Sequence, residues 1–521
     1  MKKRFLFVVL AAAWLSRLAV SQASFVATDR TAARLLDQAT WGPTPADIVK
    51  VQTMGINDWL SWQFSLNTSD LPDQPILGTD GNPNRDLTPV QSAFFQNAVT
   101  GQDQLRQRVA FALSEIWVVS AVQTNYAYAF PPYWRIFRDN AFGNYRDIVK
   151  AVTLSPAMGN YLSMANNNRG NPVKGTAANE NYARELMQLF TLGLTELHAD
   201  GTPVLDANQQ PVATYNQAIV TNMARVFTGW TYPTAPGATA KSNNPQYYLG
   251  QMFAVENNHD TTAKQIFGNI TIPAGQTAEQ DLESLLDALM AQDTMAPFVS
   301  EQLIQHLVTS NPSPAYIQRV SNVFLNNGNG VRGDLKAVIT AILTDSEARA
   351  DDSPSAVETA SFGHLREPVL FTANLARGLN ATFSAANTLN RYANELGQNL
   401  FYPASVFSYF SPQYRTEKGL LGPEFQIHST QTAAFRADMV NTALYGVFDK
   451  AVKLDLTPFL ALGNNTDSLL DYISYVFLHH SMSSNLTITA MDAANTPASA
   501  LARVQQALYI VLTSSEYQVI Q

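Results

Sequence analysis

The sequence contains no cysteine in 521 residues. That excludes a disulfide framework, a zinc ribbon, a thiolate cluster and a cysteine nucleophile. Charge is scarce as well: Asp, Glu, Lys and Arg make up 14% of the chain, against about 25% in ordinary globular proteins. The polar surface must therefore come mostly from Asn, Gln, Ser, Thr and Tyr. An excess of basic residues is also missing. With 33 basic and 42 acidic residues the formal net charge is -9, which argues against a nucleic-acid partner. What is abundant is apolar: hydrophobic residues at 46% exclude a disordered chain and supply a large core.

Lys2, Lys3 and Arg4 precede an apolar run of 11 residues, Phe5 to Leu15, and Ser21-Gln22-Ala23 offers small residues at cleavage spacing. This is a signal-peptide layout, and the run is shorter than the roughly 20 residues a membrane span needs. The expectation is a leader over 1–23 and an exported domain over 24–521, periplasmic or extracellular, with no later transmembrane span. An exported chain without disulfides must rely on helix packing.

Helix signals dominate. Thr44 then Pro45 reads as N-cap and first helical residue, with Gly55 as the stop, and Thr88-Pro89 opens another helix. Leu105, Val109, Ala112, Ile116 and Val119 recur at helical spacing in a stretch almost wholly apolar from Val109, which predicts a central buried helix. Further helices are predicted over 133–140, 144–153, 179–192, 216–227, 278–291, 296–308 and 315–325. Strand signal is thin: Val204-Leu205, the turn Asp206-Ala207-Asn208, and Pro211-Val212 suggest an irregular hairpin over 202–215. The fold class is all-α, a large multi-helix globular fold with one small irregular β-hairpin. A single helical domain is expected, with the acidic stretch at Asp351-Asp352 marking a candidate sub-boundary near 350–356.

Two apolar helical runs, at 335–343 and 504–512, each end in a Thr-x-Ser-Glu turn, at Glu347 and Glu516. A shared way of ending a helix accounts for them, and two copies make no solenoid. Gly328-Asn329-Gly330-Val331-Arg332-Gly333 fits the dinucleotide pattern but follows a predicted helix, where the pattern needs a strand. It is read as a corner between helices, with Asp334 capping the next. His479 and His480 are adjacent, so on a helix they point about 100° apart and cannot share a metal there.

Chemistry concentrates on 179–190. At helical spacing Tyr182, Ala183, Leu186, Met187 and Phe190 share one face, and Glu180, Asn181, Arg184, Glu185 and Gln188 share the opposite one. Glu180 and Arg184 form an i,i+4 pair. That face is either a solvated ion-paired surface or a cleft wall doing acid–base work. Glu256, His259 and Asp260 form a second group, suited to metal ligation or proton transfer. In the plainer reading Asp260 caps a short helix over 261–267 that Gly268 ends. Arg366-Glu367-Pro368 is helix-start capping or a binding pair. Glu115 lies inside the apolar run 111–117 and needs a partner on burial. Arg106 or Arg108 is within reach, which gives a structural buried pair. Aromatic residues recur beside polar ones around Tyr126 to Trp134, Trp230 to Tyr248 and Phe401 to Tyr414. Such rings pack in cores or stack on sugars.

Several of these segments together resemble the bacterial exported family catalogued as domain of unknown function 1800. The matching pieces are Ala33 to Thr44, the run Asn179-Glu180-Asn181-Tyr182-Ala183-Arg184-Glu185 followed by Thr191-Leu192-Gly193, Ala224 to Trp230, His259-Asp260 with Lys264, and Leu365-Arg366-Glu367-Pro368. The resemblance spans nearly all of the mature chain. It implies export alongside a sulfatase-like secreted partner, and no established reaction. Trp41 stands where the family more often has Phe.

The expected activity is extracytoplasmic hydrolysis of polysaccharide-like polymers by carboxylate acid–base catalysis. Glu180, Glu185 and Asp260 are the candidate catalytic residues, although Glu180 and Glu185 lie about 140° apart around a helix. Asn181, Arg184, Gln188, His259, Arg366, Glu367 and Trp230 are the candidate binding residues. The leading reading needs no cofactor and no metal. The alternatives are a non-enzymatic secreted binding or assembly protein working with a partner, and a metal-dependent enzyme built on Glu256, His259 and Asp260.

Overall fold

Thr44 accepts the Asp47 backbone N–H at 3.2 Å and Gly55 closes the helix Pro45–Met54, as the Thr-Pro…Gly pattern requires. By the same chemistry Asn144, Asn216, Thr277 and Asp334 cap the helices Tyr145–Thr153, Gln217–Val226, Ala278–Met290 and Leu335–Thr344. The computed structural model describes residues 27–268, 270–352 and 361–521. Among these the fold is mostly α: 22 α-helices, 51% helical, with β-structure limited to four two-stranded antiparallel ladders and isolated bridges. The leader expected over 1–23 and part of the candidate boundary at 350–356 lie outside the described residues. Among the described residues no helix is long and apolar enough to cross a membrane.

The expected hairpin over 202–215 is present as bridges, Leu197 to Pro203, Leu205 to Pro211 and Thr195 to Ala213. The named ladders lie elsewhere, and each is two residues long. Trp230–Thr231 pairs with Phe253–Ala254, Lys264–Gln265 with Thr271–Ile272, His364–Leu365 with Val519–Ile520, and Thr382–Phe383 with Val452–Lys453. The second ladder replaces the helix expected over 261–267. Lys264 is fully buried and its amine reaches Asp281 at 2.5 Å and the Thr262 carbonyl at 3.0 Å. These inward contacts hold the segment extended. The helix expected over 179–192 is α only over Asn181–Glu185 and continues as a π-helix over Leu186–Thr191. The central helix runs Gln104–Ile116 and stops short of Val119, where the Trp117 carbonyl accepts the Tyr133 hydroxyl at 2.8 Å.

One apolar core contains residues from Ala27 to Ile520. At its centre is the helix Asp29–Ala39, in which every residue but Asp29 is buried. Helix packing is not the whole of what replaces disulfides. Arg366 grips Asp37 with two bonds of 2.6 and 2.9 Å, Arg377 meets Asp47 at 2.8 Å, and Arg34 meets Asp352. Each joins the N-terminal helices to segments more than 300 residues away. Removing one partner of such a pair costs about 3–5 kcal/mol.

The two Thr-x-Ser-Glu endings share more than a turn. Glu347 folds back on Ser313, accepting its backbone N–H at 3.0 Å, and Ser313 caps Pro314–Leu325. Glu516 does the same to Ser483, at 3.0 Å, and Ser483 caps Ser484–Asn495. A third helix precedes each hairpin, Met295–Leu307 in the first and Thr466–Phe477 in the second. Two three-helix units therefore close with one clasp. Only the first contributes to the cavity described next.

Candidate functional site

Arg108 and Glu115 lie two turns apart on Gln104–Ile116 and so share one face. The apolar residues around them bury both. Met295–Leu307 packs against that helix and carries Glu301, Gln302, Gln305 and His306. The π-helix supplies Gln188 and Leu189, and the segment 406–424 closes the far wall with Phe407, Phe410, Arg415 and Glu424. Together they enclose a cavity of about 560 Å³ with Glu115 in its wall. Gly193, at φ +73°, lies under the Phe298 ring, which passes 2.8 Å from where a Cβ would stand. This close approach requires glycine at the cavity wall.

Behind Glu115 sits Glu367, the residue just before the helix Pro368–Gly378. Its carboxylate does not cap that helix. It is buried instead, close to the Glu115 carboxyl. Gln398 lies against both. Its Oε1 accepts the Val369 N–H at 2.8 Å, which turns its Nε2 toward Glu367 at 2.5 Å and Glu115 at 3.0 Å. Burial pushes both carboxyls up to about 8; their mutual repulsion adds to the rise at Glu367, and the nearby Arg108 guanidinium opposes it at both. With both raised above neutrality, the two carboxyls form a dyad that holds its protons at pH 7. His306 Nδ1 lies 3.4 Å from Glu115 Oε2, and burial lowers the imidazole, which is neutral at pH 7. Arg108 donates to the His306 carbonyl. Across the cavity Glu301 is half-buried and raised by that burial, against the pull of Arg415. Glu424 Oε1 meets His364 Nδ1 at 3.0 Å.

The candidate residues from the 179–190 face divide. Glu180 accepts Gln217 Nε2 at 3.0 and 2.8 Å, Thr221 Oγ1 at 2.8 Å and Arg184 Nη2 at 3.2 Å. The Gln217 bond is the chief reason its carboxyl lies below the ordinary range. This set ties the segment to the neighbouring helix Gln217–Val226. Asn181 is exposed, and Glu185 is half-buried and raised by burial. Gln188 lines the cavity and accepts the Tyr215 hydroxyl at 3.2 Å. The division follows from the π-helix, which turns less per residue than an α-helix. A face drawn at α spacing does not continue past Glu185.

Asp260 accepts Arg225 Nε at 2.9 Å and the Thr262 N–H at 2.9 Å. Burial would raise it, but these bonds hold it well below the carboxylate range. His259 is fully buried between the Thr228 carbonyl at 2.9 Å and Asp281 at 3.0 Å, where Lys264 also ends. Glu256 accepts the Ala278 N–H at the start of Ala278–Met290. The three therefore have separate partners. Among the described residues no three His, Asp or Glu side chains are placed to hold a metal. His479 and His480 are not helical but left-handed, at φ 54° and 58°, and turn to Asp37 and to Asp29 and Asp471 respectively. Trp230 is buried in its ladder, and Arg366 is spent on Asp37. Of the candidates, then, the structure brings Gln188 and Glu367 to Glu115. Tyr128, Phe130, Trp134, Tyr232 and Tyr248 are core, so only the third aromatic group reaches the cavity.

The sequence signals for this site were Glu115, one charge in an apolar run with Arg108 two turns before it, and the candidates Gln188 and Glu367. Glu301, His306, Gln398 and Glu424 carried none. A mostly α fold with a buried carboxyl dyad on a large cavity defines the class. The chain belongs to the family described as protein of unknown function (DUF1800), whose model matches residues 34–519. No curated protein and no solved structure matches it.

Proposed function

We propose that this chain hydrolyses polysaccharide-like polymers outside the cytoplasm, with Glu115 as the general acid. One observation carries the reading: a carboxyl kept protonated at neutral pH by burial stands in the wall of a cavity of about 560 Å³. Such a group protonates a departing oxygen near pH 7, where an ordinary glutamate cannot. Glu367 shares the Gln398 amide with Glu115 but does not line the cavity, so it cannot flank a glycosidic bond held there. Glu367 is therefore the positioning residue that tunes Glu115. The second carboxylate is Glu301, from the facing helix, which activates the water. Gln188, Gln302, Gln305 and Gln413 offer amides to hydroxyls, and Phe298, Phe407 and Phe410 offer apolar faces to sugar rings. The basic and apolar segments at Lys2 to Leu15 support export.

Purified protein screened on neutral polysaccharides should release reducing ends. Glu115→Gln should lower turnover by about 10²–10⁴-fold, the share of a general acid, while KM stays near wild type. Undiminished turnover in Glu115→Gln would refute the assignment, and no release from any polymer would refute the activity.

A further inference from the structure

Glu424 has no part in the acid–base step, yet it faces the same cavity. It is 5% exposed in the short turn Pro423–Ile427. His364 holds Oε1, while Oε2 is buried with no partner. Among the cavity-lining residues the buried side-chain polar atoms without a partner are two, Glu115 Oε2 and Glu424 Oε2. Glu115 holds the proton that it gives up as general acid, whereas a carboxylate oxygen such as Glu424 Oε2 only accepts. The first belongs to the general acid, so the second is left for a ligand's donor. Buried acceptors without donors are rare because each forfeits its hydration for nothing.

The rest of the lining says which donor. Glu115, Glu301 and Glu424 are acidic, and the one Lys or Arg is Arg415, whose Nη1 already donates to the Gly419 carbonyl at 2.7 Å. A uronic acid would add a carboxylate beside Glu301 and Glu424, with Arg415 as the one Lys or Arg of the lining to offset it. A hydroxyl would satisfy Oε2, but a charged donor gains about twice as much from an ionised acceptor. We propose that the cavity selects an amine-bearing sugar, its ammonium seated on Glu424 Oε2. The sugar scaffold rests on the hydrolase reading; the ammonium rests on Glu424.

Calorimetric binding at pH 6 of a β-1,4-glucosamine tetramer, its fully N-acetylated counterpart and tetralysine tests this. The free-amine tetramer should bind about tenfold or more tighter than the acetylated one, as a desolvated charge pair provides. Glu424→Gln should abolish that preference. Gln413→Lys, on the exposed wall and away from the buried pair, should weaken it by placing a cation in the cavity. Equal affinities for the two tetramers, no binding of either, or tetralysine as the tightest ligand would each overturn the proposal. The two readings fail separately. A preference for the amine without turnover sinks the hydrolase, and turnover of neutral polymer without the preference sinks the ammonium site.

Discussion

Glu180 and Glu115 each accept a hydrogen bond from a glutamine Nε2, Gln217 in one case and Gln398 in the other, and each has an arginine nearby. Their carboxyls nevertheless move in opposite directions. Glu180 is half-exposed and its donors act against little desolvation, so it falls below the ordinary range. Glu115 is 6% exposed with a second carboxyl against it, and burial outweighs the same kinds of donor. Identity of partners does not set a carboxyl's chemistry; water and like charge do.

The largest test of this contrast is stability. Arg108→Met leaves the dyad without its counter-charge and should cost about 3–5 kcal/mol in urea denaturation. Arg184→Met, at the Glu180 pair, should cost less than about 1 kcal/mol. Comparable losses would mean that the two regions do not differ as described.

The pH dependence should separate them next. Both dyad carboxyls lie above their unfolded value of 4.5, at about 8. The folded state thus holds more protons than the unfolded one across that interval, and stability falls as pH rises from about 5 to 8, by up to about 1.4 kcal/mol per unit for each proton. Denaturation midpoints between pH 5 and 8 should slope downward in wild type and flatten in Glu367→Gln. Glu180 is lowered, so its contribution is present above 4.5 and fades as pH falls through its depressed value. Glu180→Gln should leave the slope between pH 5 and 8 unchanged.

The smallest expected effect compares the two glutamines. Gln398→Ala strips the donor from two buried carboxyls and should cost about 1–3 kcal/mol. Gln217→Ala should cost about 0.5 kcal/mol or less in the same denaturation assay, because water replaces it at Glu180.

Features held by neighbours in the chain were legible. Thr44 and Asp334 cap the helices they were expected to cap, helices start at Asn144 and Asn216 as expected, with those residues as their caps, and the glycine-rich corner at 328–333 joins two helices. The segment at 261–267 was not, because a helix former at Lys264 was drawn inward to Asp281 on another element. Glu115 was visible as a charge in an apolar run. Its partners Gln398 and Glu367 lie about 250–280 residues away; Glu367 stood out beside Pro368, but no local pattern announces Gln398 or joins either to Glu115.

By itself the sequence determined a mostly α, cysteine-free fold and the position of most of its helices, because capping, apolar spacing and turn chemistry act within a few residues. It also determined the family, through runs of residues that stay adjacent. Only the tertiary structure decided which carboxyls are chemically unusual. A raised carboxyl needs exclusion of water, to which a like charge can add, and both come from side chains that long-range packing brings together.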